Sequence, residues 1–230
     1  MLMLIKDRRI RSGLSGVAVA ASLLVGAVGC GGEGAKPDEK SVAAEKLCGG
    51  AVSADAGKAL KVITGSTRFE ESADTSTVAH AADQLIGAFP PAGTGSPGDD
   101  GDVCRIYTPA GTPGDELRVT WRLSHEGPGD ERPASKFTPL KMGERAGAAP
   151  DDAFIEFACR SAKLPGSTQT PGHVRIGVER TGMPQEAEGD VEALKRAYAT
   201  VTHSVSLAMA EELGCEGKAG LEPQASLDPA

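Results

Sequence analysis

Five cysteines and four histidines are the side chains of this 230-residue chain best suited to nucleophilic, basic or metal-binding chemistry. Leaving Cys30 aside, the thiols are Cys48, Cys104, Cys159 and Cys215. No two stand at C-x-x-C spacing and none has a histidine at ligand spacing, so no metal site is expected. Four thiols in an exported chain would instead form two disulfides, and they allow three pairings. His80, His125, His173 and His203 are the natural general bases. Yet His80 and His203 fall within helical patterns, His125 follows a strand pattern beside Gly and Pro, and His173 opens one. On a helix the adjacent His203 and Ser204 would point about 100° apart and cannot act as base and nucleophile. No G-x-S-x-G elbow occurs, so a serine hydrolase has no signature here and no catalytic residue is assigned.

Acidic and basic clusters are the other candidates. Asp99, Asp100 and Asp102 in "GDDGD" lack the register of a calcium loop and are expected to lie in a solvated connection. Asp151 and Asp152 precede "AFIEF", where neighbours on an extended chain face opposite ways and cannot form a general acid/base pair; they are expected to keep a turn soluble. No glycine-rich phosphate loop follows a strand and opens a helix, so no nucleotide cofactor is expected. Arg118, Thr120 and Arg122 share one face of a strand pattern in an acidic protein. Two arginines two residues apart suit a carboxylate-bearing ligand or a partner's acidic patch. The competing reading is that they pair with the chain's own surplus acids.

The elements that must position these groups follow from periodicity. Ser53 can cap a short helix through Thr64, with Gly65 as its stop. Val78, Ala82, Leu85, Ile86 and Phe89 fall at helical spacing over residues 76–89. After "PPAGTGSPGDDGD" alternation replaces helical period: Leu117, Val119, Trp121 and Leu123 point one way and Arg118, Thr120 and Arg122 the other. Period-two runs recur at 103–108, 153–160 and 173–179, joined by connections mostly too short for parallel crossovers. A final helix over 191–213 is capped by Asp190, carries Leu194, Tyr198, Val201, Val205 and Ala208 on one side, and stops at Gly214. Helices at both ends and strands between them predict an α+β fold. It comprises an antiparallel sheet of about four to six strands, with two N-terminal helices and a long C-terminal helix packed on one face. Cys48 precedes the first helix, Cys215 follows the last, and Cys104 and Cys159 sit in strand runs. Pairing Cys48 with Cys104 and Cys159 with Cys215 is therefore favoured, because it staples the terminal helices to the sheet.

Residues 1–29 read as an export signal. Lys6, Arg8, Arg9 and Arg11 precede an apolar stretch from Leu14 to Val28 that is shorter than the roughly 20 residues of a membrane span and ends in small residues. The sequence "LLVGAVGC" resembles a bacterial lipoprotein lipobox, in which the cysteine sulfur takes diacylglycerol and becomes the N-terminus; Ala27 stands where Leu is usual. The resemblance implies lipidation at Cys30, an anchor of two or more acyl chains, and a place at the extracytoplasmic face of the cell membrane. Hydrophobic residues expected just after a twin-arginine pair are missing beyond Arg8-Arg9, and both export routes stay open. Removal of the signal leaves 20 basic against 31 acidic residues, a formal charge of −11. Such a chain has no basic patch for nucleic acid and gains no electrostatic help at an anionic membrane. Residues 30–47 then read as a flexible tether, 48–215 as a single domain and 216–230 as a disordered tail.

The stretches "LCGGAVSADAGKALKVITGSTRFEES", "CRIYTP", "FIEFACRSAKLPGS" and "YATVTHSVSLAMAEELGCE" resemble a family of uncharacterised actinomycete secreted lipoproteins over nearly the whole mature chain. More loosely, a lipobox, a Cys before a helix and a Cys in a strand are similar to small actinobacterial lipoproteins with a PsbP-like α+β sandwich. The resemblance implies address and fold, and brings no activity or substrate. Three functions remain on the sequence: a non-catalytic binding or adaptor domain for an unidentified envelope protein or small ligand, an envelope hydrolase without a recognisable motif, and a structural envelope component. The mature protein is expected to lack residues 1–29 and to carry lipid mass on Cys30. Reduction should add the mass of four hydrogens for two disulfides. Intact-mass spectrometry before and after reduction checks both; an unlipidated chain with free thiols would contradict them.

Overall fold

The structure, a computed structural model, describes residues 41–70, 72–89, 100–109, 116–124, 126–129, 133–181 and 189–230. The expected signal, the lipidation site Cys30 and the first part of the tether lie outside them. From the N-terminal side come β1 (Ser41–Ala43), a kinked 3₁₀ segment (Ala44–Gly49), α1 (Ala54–Thr64), β2 (Arg68–Glu70) and α2 (Val78–Ala88). Then follow β3 (Asp100–Tyr107), β4 (Glu116–Ser124), β5 (Thr138–Leu140), β6 (Arg145–Ala148), β7 (Asp152–Cys159), β8 (Gly172–Thr181) and α3 (Val191–Glu212). The protein is α+β, with antiparallel sheets and a long C-terminal helix.

Helix ends are set by the residues that periodicity singled out. The Ser53 hydroxyl accepts from Ala56 N–H and α1 stops at Gly65, whose φ of 72° is left-handed. Thr77 rather than Ser76 caps α2, accepting from His80 N–H. The Asp190 carboxylate takes the N–H groups of Glu192 and Ala193 at the head of α3.

Six strands form one sheet in the order β3-β4-β8-β7-β6-β5. β8 is paired along its length with β4 on one side and β7 on the other. Alternation puts Leu117, Val119, Trp121 and Leu123 of β4 and Val174, Ile176 and Val178 of β8 into the core, all nearly inaccessible. They join one apolar cluster with Leu60 of α1, Leu85 of α2 and Tyr198, Val201 and Val205 of α3. α3 packs on β6, β7 and β8, α2 on β3 and α3, and α1 on α3. β5 and β6 had no counterpart in the sequence reading. They are three and four residues long, β5 contains Pro139, and β5 is an outermost strand, where a missing N–H is tolerated.

Two disulfides brace this layer. Cys48 is bonded to Cys104 and Cys159 to Cys215, the pairing in sequence order. The first ties the 3₁₀ segment to β3 and the second ties the end of β7 to the residue that follows the last turn after α3. Each closes a loop of 56 residues, which in the loop-entropy treatment is worth about 4 kcal/mol.

Both domain boundaries need correction. The tether expected to run to residue 47 already belongs to the domain from Ser41: β1 pairs with β2, and Ala44 and Leu47 are buried. The tail expected to be disordered is packed. After Cys215 the backbone makes a left-handed turn at Gly217, Lys218 and Ala219, Leu221 enters the core, and Pro229 bridges to Leu140 on β5. Composition misleads here because the binding of this segment rests on one buried leucine, two partly buried alanines, Ala219 and Ala225, and backbone hydrogen bonds. Lys141 N–H donates to Asp228 O at 3.2 Å and Ala230 N–H to Pro139 O at 3.1 Å. His203, buried in α3, holds the same segment, its Nε2 donating to Glu222 O at 3.0 Å.

Burial pushes the His203 imidazole below its ordinary value, partly offset by that hydrogen bond. The folded state therefore favours the neutral ring, and the associated stability is present above about pH 6.5 and is lost as pH falls through the lowered folded value. Urea unfolding at pH 7.5 and pH 5 is expected to show wild type losing more stability than His203→Gln, which keeps a donor and cannot titrate. Equal losses would show that His203 does not titrate on unfolding.

Candidate functional site

The face of the sheet turned away from the apolar cluster is charged. Register fixes who stands beside whom. One row runs Asp100, Arg122, Arg175, Glu156, Arg145 across β3, β4, β8, β7 and β6. The next runs Asp102, Thr120, Gly177, Phe154, Gly147, and a third Arg105, Arg118, Glu179, Asp152. A fourth begins with Ser124 beside His173.

Most of these charges are mutually satisfied. Asp102 meets Arg118 at 2.6 Å and Arg105 at 3.2 Å, and Arg105 also reaches Glu116 at 2.9 Å. Burial pushes the Asp102 carboxyl up, but hydrogen bonds from the Arg118 and Arg105 guanidiniums outweigh it and hold the group below the usual carboxylate range. Glu156, nearly buried, takes two bonds from Arg145 at 2.7 and 3.1 Å and one from Arg175 at 3.1 Å. The Arg175 guanidinium also lies 3.8 Å from the ring centroid of Phe154, and Phe137 meets that ring edge-on. Lys136 pairs with Asp152 at 2.8 Å and His173 Nδ1 with Glu144 at 2.7 Å.

Arg122 differs from these arginines. It is exposed and forms no ion pair with any described residue, although Asp100 and Arg175 are its cross-strand neighbours. Like charges directly opposite each other in a sheet are unfavourable. Next to them Gly177 leaves a hollow: a Cβ there would lie 3.0 Å from Thr120 Oγ1. The resulting cleft of about 230 Å³ is lined by the guanidiniums of Arg118, Arg122 and Arg175 and by the carboxylates of Asp100, Asp152 and Glu179, around Thr120 and Gly177. A second cleft of about 250 Å³, reaching Ser124, His173, Arg145 and Glu156, shares Arg122 and Arg175 with it.

The candidate face Arg118, Thr120 and Arg122 is thus assembled, with a change of roles. Arg118 is taken up by Asp102 and Glu179. Arg122 remains, joined by Arg175 from β8. The signal for Arg175 was present in the sequence, since it alternates with Val174, Ile176 and Val178; what periodicity could not supply was that β8 lies beside β4. Asp100 and Asp102 open β3 instead of lying in a solvated connection, because Arg118 and Arg105 stabilise Asp102 on the strand. Asp152 belongs to β7 and pairs with Lys136. Among the histidines His80 lies on α2 with its Nε2 3.3 Å from Gln84 and His203 is buried under the tail, while His125, like Asp99, falls outside the described residues. No cluster of three potential metal ligands occurs among the described residues, and none of their helices is long and apolar enough to cross a membrane.

No family model matches the chain, and no curated protein or solved structure matches it either.

Glu156 is the charge on which this face depends most, because its loss leaves two guanidiniums competing without an anion. Glu156→Gln is expected to lower the unfolding free energy by about 2 kcal/mol in urea titrations. Arg118→Gln should cost under about 1 kcal/mol, since that cluster is about a third exposed and screened by water.

Proposed function

We propose that this protein is a non-catalytic binding or adaptor domain, anchored by lipid on Cys30 at the extracytoplasmic face of the cell membrane. The lipobox-like sequence and the resemblance to actinomycete lipoproteins support the address. The described helices pack on one side of the sheet, and on the other side the Lys136–Phe137 segment covers Asp152 and Phe154 and leaves Arg122 exposed. The observation that carries the reading is Arg122, exposed and outside any ion pair with the described residues, directly opposite Arg175 beside the Gly177 hollow. Two guanidiniums side by side suit a carboxylate, which would relieve their repulsion and accept bidentate hydrogen bonds.

A second reading, an envelope hydrolase, draws on a different part of the face. Ser124 stands opposite His173 in register, and His173 is oriented by Glu144 at 2.7 Å beside the second cleft. Against it, the Ser124 hydroxyl donates to Glu126 O at 2.9 Å rather than to the imidazole.

One set of measurements addresses both. Citrate and succinate are expected to raise the melting temperature of the Cys30→Ser protein above a control of matched ionic strength, with the increment lost in Arg122→Gln. No increment over the salt control would overturn the carboxylate site. Labelling by a fluorophosphonate probe that disappears in Ser124→Ala would favour the hydrolase instead.

A further inference from the structure

The two edges of the six-stranded sheet are treated differently. β5 is closed by the chain's own residues 228–230, through the Leu140–Pro229 bridge and its flanking hydrogen bonds. β3, at the other edge, has β4 on its inner side and no strand of the described residues on its outer side. Six consecutive residues of that strand, Asp100 to Arg105, line a groove of about 640 Å³. Its other wall includes Ser76, His80, Gln84 and Ala88, the residue before the Thr77 cap and three α2 residues spaced four apart. Four-residue spacing places these along one stripe of the helix. The strand wall is about 20 Å long and the helix wall about 18 Å. A groove bounded by a helix and by a strand edge that no described strand pairs with has the dimensions of an extended peptide of about five or six residues.

The floor points the same way. Gly101 is opposite Trp121, and a Cβ on Gly101 would meet the indole Nε1 at 2.8 Å. Only glycine lets the ring lie over the strand there. Trp121 is 4% exposed, yet its indole N–H has no hydrogen-bond partner and the residue lines the groove. A buried donor without an acceptor costs about 1–3 kcal/mol, a cost that a ligand oxygen would remove once the ring turns its N–H, inaccessible in the free protein, toward the groove. The Cys48–Cys104 bond holds one end of the strand wall in place.

We infer that a segment of a partner protein binds in this groove as an added strand on β3. Its backbone pairs with the outer edge of Asp100–Arg105 and one of its side chains offers an oxygen to the Trp121 N–H. Main-chain pairing supplies affinity, and the alternate side chains that enter the groove supply selectivity. An Asn, Gln, Ser, Thr or acidic residue facing Gly101 satisfies the indole. This names a partner class for the binding reading and rests on it only in taking the domain to be a binding module; it uses the outer edge of β3, which adjoins the Arg122 cleft at Asp100 and Trp121.

The test uses the full mature chain with Cys30→Ser. Amide exchange of the free monomer is measured first: alternate amides of Asp100–Val103 should exchange fast. Slow exchange in the monomer, showing that the chain covers its own edge, overturns the proposal, as does protection that appears only with a concentration-dependent dimer. A phage-displayed random heptapeptide library is then panned on the protein and the selected peptides are synthesised. They are expected to protect the β3 amides, to change the fluorescence of Trp121, the sole tryptophan, and to share an oxygen-bearing side chain at one position. Gln84→Tyr, an exposed substitution that fills the groove, should abolish binding, and Trp121→Phe should weaken it roughly fivefold to tenfold. Selected peptides that bind Gln84→Tyr equally well, or a library that yields none, overturn it. Saturating citrate should leave the peptide Kd unchanged, so the groove and the carboxylate site stand or fall separately.

Discussion

β8 alternates Val174, Ile176 and Val178 with Arg175, Gly177 and Glu179, and it is hydrogen-bonded on both sides. It must therefore satisfy a dry face and a wet face over the same ten residues. The dry face is met by α3 within a continuous apolar cluster. The charges of the wet face are balanced mostly within the sheet itself, with Lys136 and Glu144 from the adjoining connections meeting Asp152 and His173. Cross-strand register makes that balance local: Glu156 lies between Arg145 and Arg175, and Asp102 between Arg105 and Arg118.

Balance within a sheet leaves remainders where the register does not supply an opposite charge. Arg122 is a different case: the register sets Asp100 opposite it on β3, yet it forms no ion pair with any described residue, and its position beside the Gly177 hollow follows from the same two-residue alternation that places Thr120 next to it. The hollow is a consequence of omitting the side chain between Arg175 and Glu179 on the wet face of β8. A site of this kind needs no loop and no catalytic motif, which agrees with the plainness of the chain's histidines and acids in sequence.

Edges impose the second constraint, since every outermost strand exposes donors and acceptors. Here one edge is satisfied by a short return of the chain held by Leu221, Glu222 and the bridge at Pro229. The other faces a groove with a helix beyond it. The two disulfides fix the 3₁₀ segment against β3 and the residue after α3 against the end of β7.

Local pattern was enough for the long elements. The period-two runs of β3, β4, β7 and β8 and the capped helices at Ser53 and Asp190 are legible because their signals lie within a dozen residues, and the order of elements around four cysteines was enough to favour one disulfide pairing. Short β5 and β6 were not legible, because Pro139 and a run of small residues carry no alternation, and the packed tail was not, because its contacts are with residues far away in sequence. The same division runs through the candidate sites. The sequence alone placed Arg118, Thr120 and Arg122 on one face and Trp121 on the other. Tertiary structure decided that Arg118 is consumed by Asp102, that Arg122 meets Arg175, and that the Trp121 indole crosses Gly101 into a groove against α2. The reason is that alternation specifies which way a side chain points, whereas its partner depends on which strand lies alongside, and that is settled only when the whole sheet is assembled.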